Sequence, residues 1–175
     1  MTSNAPAIPA RPTVYKGIQM RSRLEADYAA ALDRDERPWT YEPTCFAGPD
    51  SQWLPDFKAE MTSAYIEVKP AYLIENDAET FMDVYARVDK ILTRMTVAWL
   101  SEPDATLNLV FWRYGGSQEE APLSIECAPG YPGWLAYTPS TLDLPMLWPG
   151  MGQILAVGHD LAGSTGFVFK PGGPR

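Results

Sequence analysis

Apolar residues step every fourth position through MRSRLEADYAAALDRD (residues 20–35), where Leu24, Tyr28 and Leu32 make one stripe and alanines fill the gaps. That spacing predicts a helix. Ser22 and Glu25 fit the S-x-x-E capping pattern at its start, and Pro38 ends the segment. Two short aromatic-rich runs, WTYEPTCF and QWLPDF, flank the turn sequence AGPDS and predict a hairpin. AYIEVK alternates as a strand does: Tyr65, Glu67 and Lys69 fall on one face, Ile66 and Val68 on the other. From Asp77 to Leu100 the period returns to helical, with Phe81, Val84, Val88, Ile91, Met95 and Ala98 as the expected buried stripe. SEPDA breaks it, and the apolar run LNLVFW predicts a central strand. A helix between two such strands predicts a crossover connection. The order is α-β-β-β-α-β.

Beyond Gly115 the signals weaken. LSIECAPGYPGWLAY, GQILAVGHD and TGFVF are candidate strands between proline- and glycine-rich turns. The expected layout is a flexible leader over 1–14, one domain over 15–169, and a disordered tail over 170–175. Within the domain, a core over about 15–114 precedes a β-rich extension over 115–169. A chain of 175 residues with six tryptophans is long enough to bury a core without staples. No apolar run approaches the roughly 18 residues of a membrane span, and the N-terminus has no export-signal core. Cys45 and Cys127 do not make a disulfide framework, so reduced thiols in a cytoplasmic protein are expected.

The net charge of −8 argues against nonspecific coating of nucleic acid, which relies on lysine and arginine. It does not argue against a nucleic-acid enzyme, because two bound divalent cations would offset four of those charges. Eight basic and ten acidic residues lie in 1–70, against six and twelve in 71–175, so a polyanion should approach the N-terminal half.

Glu67 and Lys69 on one strand face set a carboxylate beside an ammonium. Asp56, expected to end the preceding strand, can reach the same face if the two strands pair. Two carboxylates and a lysine at a sheet edge suit a hard divalent cation and a polarised water, as phosphodiester hydrolysis requires. Simpler roles compete. Glu25 is also the third-position acid of a capping box. Glu67 and Lys69 also suit an exposed ion pair of little energetic worth, and Glu42 suits a structural or solvent-facing role. Arg87, Lys90 and Arg94 recur at helical spacing and suit either phosphates or a solvated face. Lys16, Arg21 and Arg23 lie at the entrance to the first helix, where backbone amides also favour anions. Other chemistries lack their residues. His159 is the sole histidine, no G-x-S-x-G elbow occurs, and YGGSQEE lacks the lysine and hydroxyl of a phosphate-cradling loop.

PDF…YIEVK, behind a helix bearing RSRLEA, resembles the signature of the PD-(D/E)XK nuclease superfamily. The stretch is most similar to phage- and plasmid-encoded members and to the N-terminal catalytic domain of endonucleases that cut transposon ends, and more loosely to phage junction-resolving endonucleases. The resemblance is close over residues 15–70 and continues in outline to Trp112; the last third resembles nothing. It implies a restriction-endonuclease-like α/β core, a mixed central sheet flanked by helices, with extra C-terminal strands. It implies a metal-dependent DNA endonuclease that leaves 5′-phosphate and 3′-hydroxyl ends. Asp56, Glu67 and the Val68 carbonyl would hold Mg²⁺ or Mn²⁺, and Glu25 would complete a first or second metal site. Lys69 would orient and help deprotonate the attacking water. DNA is the implied partner, with RNA not separated from it. Lys16, Arg21, Arg23, Arg87, Lys90 and Arg94 are candidate contacts, and a homodimer or a larger recombination or transposition assembly is left open. A phage-encoded member would work in the host cytoplasm. The rival from another class is an inactive nuclease-fold module that binds nucleic acid or a protein.

Overall fold

The computed structural model describes residues 10–75, 81–121, 123–127, 134–137, 154–157 and 166–169. The chain opens with a hairpin, β1 (Thr13–Tyr15) and β2 (Ile18–Met20), turned through Lys16 and Gly17. Both turn residues have positive φ, 48° and 79°, as a tight two-residue hairpin requires. Helix α1 (Arg23–Arg34) follows, then β3 (Trp39–Tyr41), β4 (Phe46–Ala47), β5 (Gln52–Trp53), β6 (Phe57–Ala59) and β7 (Ala64–Pro70). Next come the short helix α2 (Tyr72–Glu75), α3 (Phe81–Met95), a 3-10 segment (Thr96–Leu100) and β8 (Thr106–Trp112). A second 3-10 turn (Gln118–Glu120) leads to β9 (Leu123–Cys127), β10 (Trp134–Tyr137), β11 (Ile154–Val157) and β12 (Gly166–Phe169).

The protein is a mixed α/β structure. Its main sheet has the order β11-β12-β10-β9-β8-β7-β6-β3. β7 and β8 run parallel and the other neighbours antiparallel. The parallel pair is joined through α2 and α3, the crossover that the apolar periodicity predicts. Taking α1, β3, β6, β7, α3 and β8 in turn reproduces the expected α-β-β-β-α-β order, with a β4–β5 hairpin inserted. The weaker C-terminal runs do form strands, and they extend the sheet beyond β8.

Several boundaries differ from expectation. The two aromatic runs pair antiparallel around the turn as expected, but in two separate ladders. β4 pairs with β5 in a separate two-stranded ribbon, whereas β3 pairs with β6 at the edge of the main sheet. Pro55, which has no amide proton to donate to a ladder, lies between β5 and β6. Asp56 therefore precedes β6 instead of ending a strand. The long helix stops at Met95 and tightens into the 3-10 segment. Residues 13–14 of the expected leader belong to β1, while residues 1–9, 76–80 and 170–175 lie outside the described residues. Among the described residues, no helix is long and apolar enough to cross a membrane.

Strand alternation divides the core into two layers. On one face, Tyr65, Leu107, Leu109, Phe111, Leu123 and Ile125 pack with Val88, Leu92 and Met95 of α3 and with Phe46 and Trp53 of the ribbon. On the other, Ile66, Val68, Val110 and Trp112 pack with Leu24, Tyr28 and Leu32 of α1 and with Phe57. β7 is thus buried on both sides, so its two charged residues do not sit on an exposed strand face.

Candidate active site

β6 and β7 pair with Phe57 opposite Ile66. Extending that register by one residue sets Asp56 across from Glu67, and period-two alternation returns Lys69 to the Glu67 face. Asp56 and Glu67 are each only 3% exposed. Together with Glu25, Val68, Lys69, Arg21, Arg94, Trp53 and Cys45, they line one cleft of about 520 Å³. A water's share of liquid volume is roughly 30 Å³, so the cleft has room for a hydrated cation and a phosphate group.

Buried carboxylates need partners, and each of these has them. Asp56 Oδ2 accepts the Val68 amide at 2.7 Å, and Oδ1 accepts Arg21 Nη2 at 2.5 Å. Arg21 Nε also lies 2.7 Å from Glu42 Oε1. Glu42 has a positive φ of 44°, uncommon for a non-glycine residue, and its amide donates to the Asp56 carbonyl at 3.0 Å, which pins the backbone at Asp56. Glu67 Oε1 accepts Lys69 Nζ at 2.5 Å and Arg94 Nη2 at 2.9 Å. Its Oε2 accepts the indole N–H of Trp53 at 2.6 Å.

Burial, and then the neighbouring Glu67 charge, push the Asp56 carboxyl up to about 7, against lowering by the Val68 amide and Lys69. For Arg21, burial works against its charge, but the Tyr41 hydroxyl and the carboxylates of Asp56, Glu25 and Glu42 outweigh it and its pKa rises. Burial, then the hydrogen bond to Glu25, raises the Tyr41 hydroxyl and keeps it a donor.

Glu25 lines the cleft, yet both its oxygens are engaged at the start of α1. Oε1 accepts Ser22 Oγ at 2.8 Å, while Oε2 accepts Tyr41 Oη at 2.6 Å and the Arg21 amide at 3.2 Å. The Glu25 amide in turn donates to Ser22 Oγ at 3.2 Å. That is a capping arrangement, the competing role that its sequence position allowed. Among the described residues, no group of three or more His, Cys, Asp or Glu is disposed to hold a metal ion.

The basic candidates separate. Arg21 and Arg94 face the cleft and hold its carboxylates. Lys16 pairs with Asp33 at 2.8 Å beside another groove, lined by Ile18, Trp39 and Tyr41. Arg23 lies 5.5 Å from the ring centroid of Tyr114, Arg87 Nη1 donates to the Leu73 carbonyl at 2.6 Å, and Lys90 is exposed on α3. Trp53 and Tyr41 belong to the site and were not foreseen. For Trp53 the available signal was its place two residues before the P-D dipeptide.

No protein-family model, no curated protein and no solved structure matches this chain significantly.

Proposed function

We propose that the chain is a divalent-metal-dependent DNA endonuclease of the PD-(D/E)XK kind, built on a restriction-endonuclease-like fold. One observation carries this. Asp56 and Glu67 are both buried, lie across from each other, and share a cleft with Lys69 at the end of a strand within the sheet. An all-oxygen donor set fits Mg²⁺ or Mn²⁺, since Mg²⁺ is commonly held by one or two carboxylates with water and substrate phosphate filling the remaining positions. Asp56 and Glu67 would hold the ion. The Val68 carbonyl would join them, because a strand residue's N–H and C=O point to the same side and the Val68 amide already faces Asp56. When bound, the ion would supply positive charge to the phosphate and acidify a water. Lys69 orients that water, takes part in its deprotonation and stabilises developing negative charge. The Trp53 indole fixes the rotamer of Glu67, and Glu25 holds the Arg21 backbone and Tyr41 at the cleft wall.

A specific observation favours a second reading. Every oxygen of Asp56 and Glu67 already has a protein partner, three of them cationic, which also suits a structural ion-pair network in an inactive nucleic-acid-binding module.

The test is incubation with plasmid, branched and single-stranded DNA, and with RNA, in Mg²⁺, Mn²⁺ or EDTA, beside Lys69→Ala. The nuclease should cut only with metal, and Lys69→Ala should slow cutting by about 10²-fold or more. DNA affinity should fall far less, because one cation is a small share of phosphate binding. A parent protein that binds DNA and never cuts it favours the module, and a variant that cuts at the parent's rate removes the catalytic role of Lys69.

A further inference from the structure

We propose that Arg94 is a placeholder for the divalent cation: it neutralises Glu67 while the metal is absent and passes to the substrate phosphate when the metal binds. This rests on the endonuclease reading and adds the device that couples metal to DNA. The starting observation is crowding at one oxygen. Glu67 Oε1 accepts both Lys69 Nζ and Arg94 Nη2, whereas Oε2 is held by the Trp53 indole. A cation that binds Glu67 at Oε1 has to take a position that Lys69 or Arg94 now fills.

The two cations on Oε1 are not equivalent. Lys69 follows Glu67 on the same strand face, and its side chain is 27% exposed. Arg94 reaches in from the last turn of α3, and its side chain is 46% exposed. Arg94 is the more solvated of the two cations and returns to water more readily, while the incoming ion takes over compensation of the buried Glu67 carboxylate, whose side chain is 4% exposed. A divalent ion seated between Asp56 and Glu67 brings twice the charge and repels the guanidinium, so Arg94 is the group that yields. Once released it stays tethered at the mouth of the cleft, where a phosphate bridging to the metal must lie. Its planar fork of donors matches two phosphate oxygens, which a point-charge ammonium does not. Arg21 is the less apt candidate for this exchange, because Glu42 holds it from a second side.

Two consequences follow by linkage. Without DNA, Arg94 competes with the metal for Glu67. With DNA, the displaced Arg94 gains a partner, so metal and DNA strengthen each other's binding by one common factor. Couplings of this kind typically span about 5- to 150-fold.

The experiment is calorimetric titration of Mn²⁺ into the full-length protein, Arg94→Ala and Arg94→Lys. Each is measured alone and with a short phosphorothioate DNA duplex that resists cleavage, and thermal melts check that the variants fold. In the parent, DNA should tighten Mn²⁺ binding by about tenfold. Arg94→Ala should bind Mn²⁺ several-fold more tightly than the parent without DNA, and DNA should tighten it less than it tightens the parent. Arg94→Lys keeps the competing charge and lacks the fork, so its Mn²⁺ affinity should stay near the parent's while the coupling drops. Arg94→Ala with parental or weaker Mn²⁺ affinity overturns this inference alone, as does a variant that keeps the full coupling. A parent that binds no Mn²⁺ at millimolar concentration overturns the endonuclease reading and this inference with it.

Discussion

At Asp56, burial and the Glu67 charge raise the carboxyl to about 7 from its ordinary 3.8. A carboxyl raised in the fold binds protons more tightly there than in the unfolded chain. Its contribution to stability is therefore complete below the unfolded value and is lost as pH rises through the folded one. The window runs from about pH 4 to about pH 7, the direction opposite to that of a surface carboxylate beside a lysine. Asp56→Asn removes the titration and keeps an oxygen for the Val68 amide. In EDTA, the parent's melting temperature should fall relative to Asp56→Asn between about pH 4 and about pH 7, by the equivalent of a few kcal/mol at most. A difference that stays flat across that range means Asp56 is not perturbed by burial. The chain's alternation placed Glu67 and Lys69 together, and the P-D dipeptide singled out Asp56. What the spacing did not contain was the identity of the groups across the cleft. Arg94 read as a phosphate contact from helical spacing and Arg21 from its place at a helix entrance, and neither signal says which side chain from another element meets it.

At the scale of elements, the β4–β5 ribbon determines how rigidly Glu67 is held. Trp53 sits on β5, stacks on Phe46 with ring centroids 6.0 Å apart, and directs its indole N–H to Glu67. The ribbon's turn is clamped by the Gly48 amide donating to the Ser51 carbonyl at 2.7 Å. A Cβ on Gly48 would lie 2.8 Å from Val97 Cγ2 and 3.1 Å from Leu100 Cδ1 of the 3-10 segment. Val97 is buried and β-branched, so it has little room to yield. Gly48→Ala should destabilise the protein by about 1–3 kcal/mol, as overpacking does. It should also weaken Mn²⁺ binding, since Trp53 shifts with the ribbon; chemical denaturation and calorimetry together test this. A variant with parental stability means that the turn and the 3-10 segment do not pack as described. This inserted hairpin is also where the sequence was hardest to read. QWLPDF reads as one aromatic-rich run, and Pro55 marks a break in it without saying that its two halves join different sheets. That division depends on which distant strands accept the backbone, a non-local choice. By contrast, α1, β7 and β8 carry uninterrupted periods and were legible.

On the scale of the whole molecule, the cleft exists only when three layers come together. The junction before α1 supplies Arg21 and the helix's first turn Glu25, the sheet and the residue leading into β6 supply Glu67, Lys69 and Asp56, and α3 supplies Arg94. The unfolded chain scatters these groups over more than seventy residues and has little affinity for a cation. Any ion that binds the assembled site therefore stabilises the native state by mass action. At a hundredfold excess over Kd that is about 2.7 kcal/mol. For a chain of this size, each kcal/mol moves the melting temperature by about 2–4 °C, so a rise of about 5–10 °C is expected with saturating Mn²⁺. The control has to be ionic strength, because a chain with net charge −8 gains some stability from screening by any salt. The same rise in NaCl of matched ionic strength would mean general screening. Asp56→Asn should lose the Mn²⁺-specific part and keep the salt-dependent part. The two functional readings diverge here without any cleavage assay. An ion-pair network complete in itself leaves Mn²⁺ no advantage over Na⁺. A site in which Arg94 stands in for a metal gains stability from Mn²⁺ beyond matched NaCl, and loses that gain when Asp56 is neutralised.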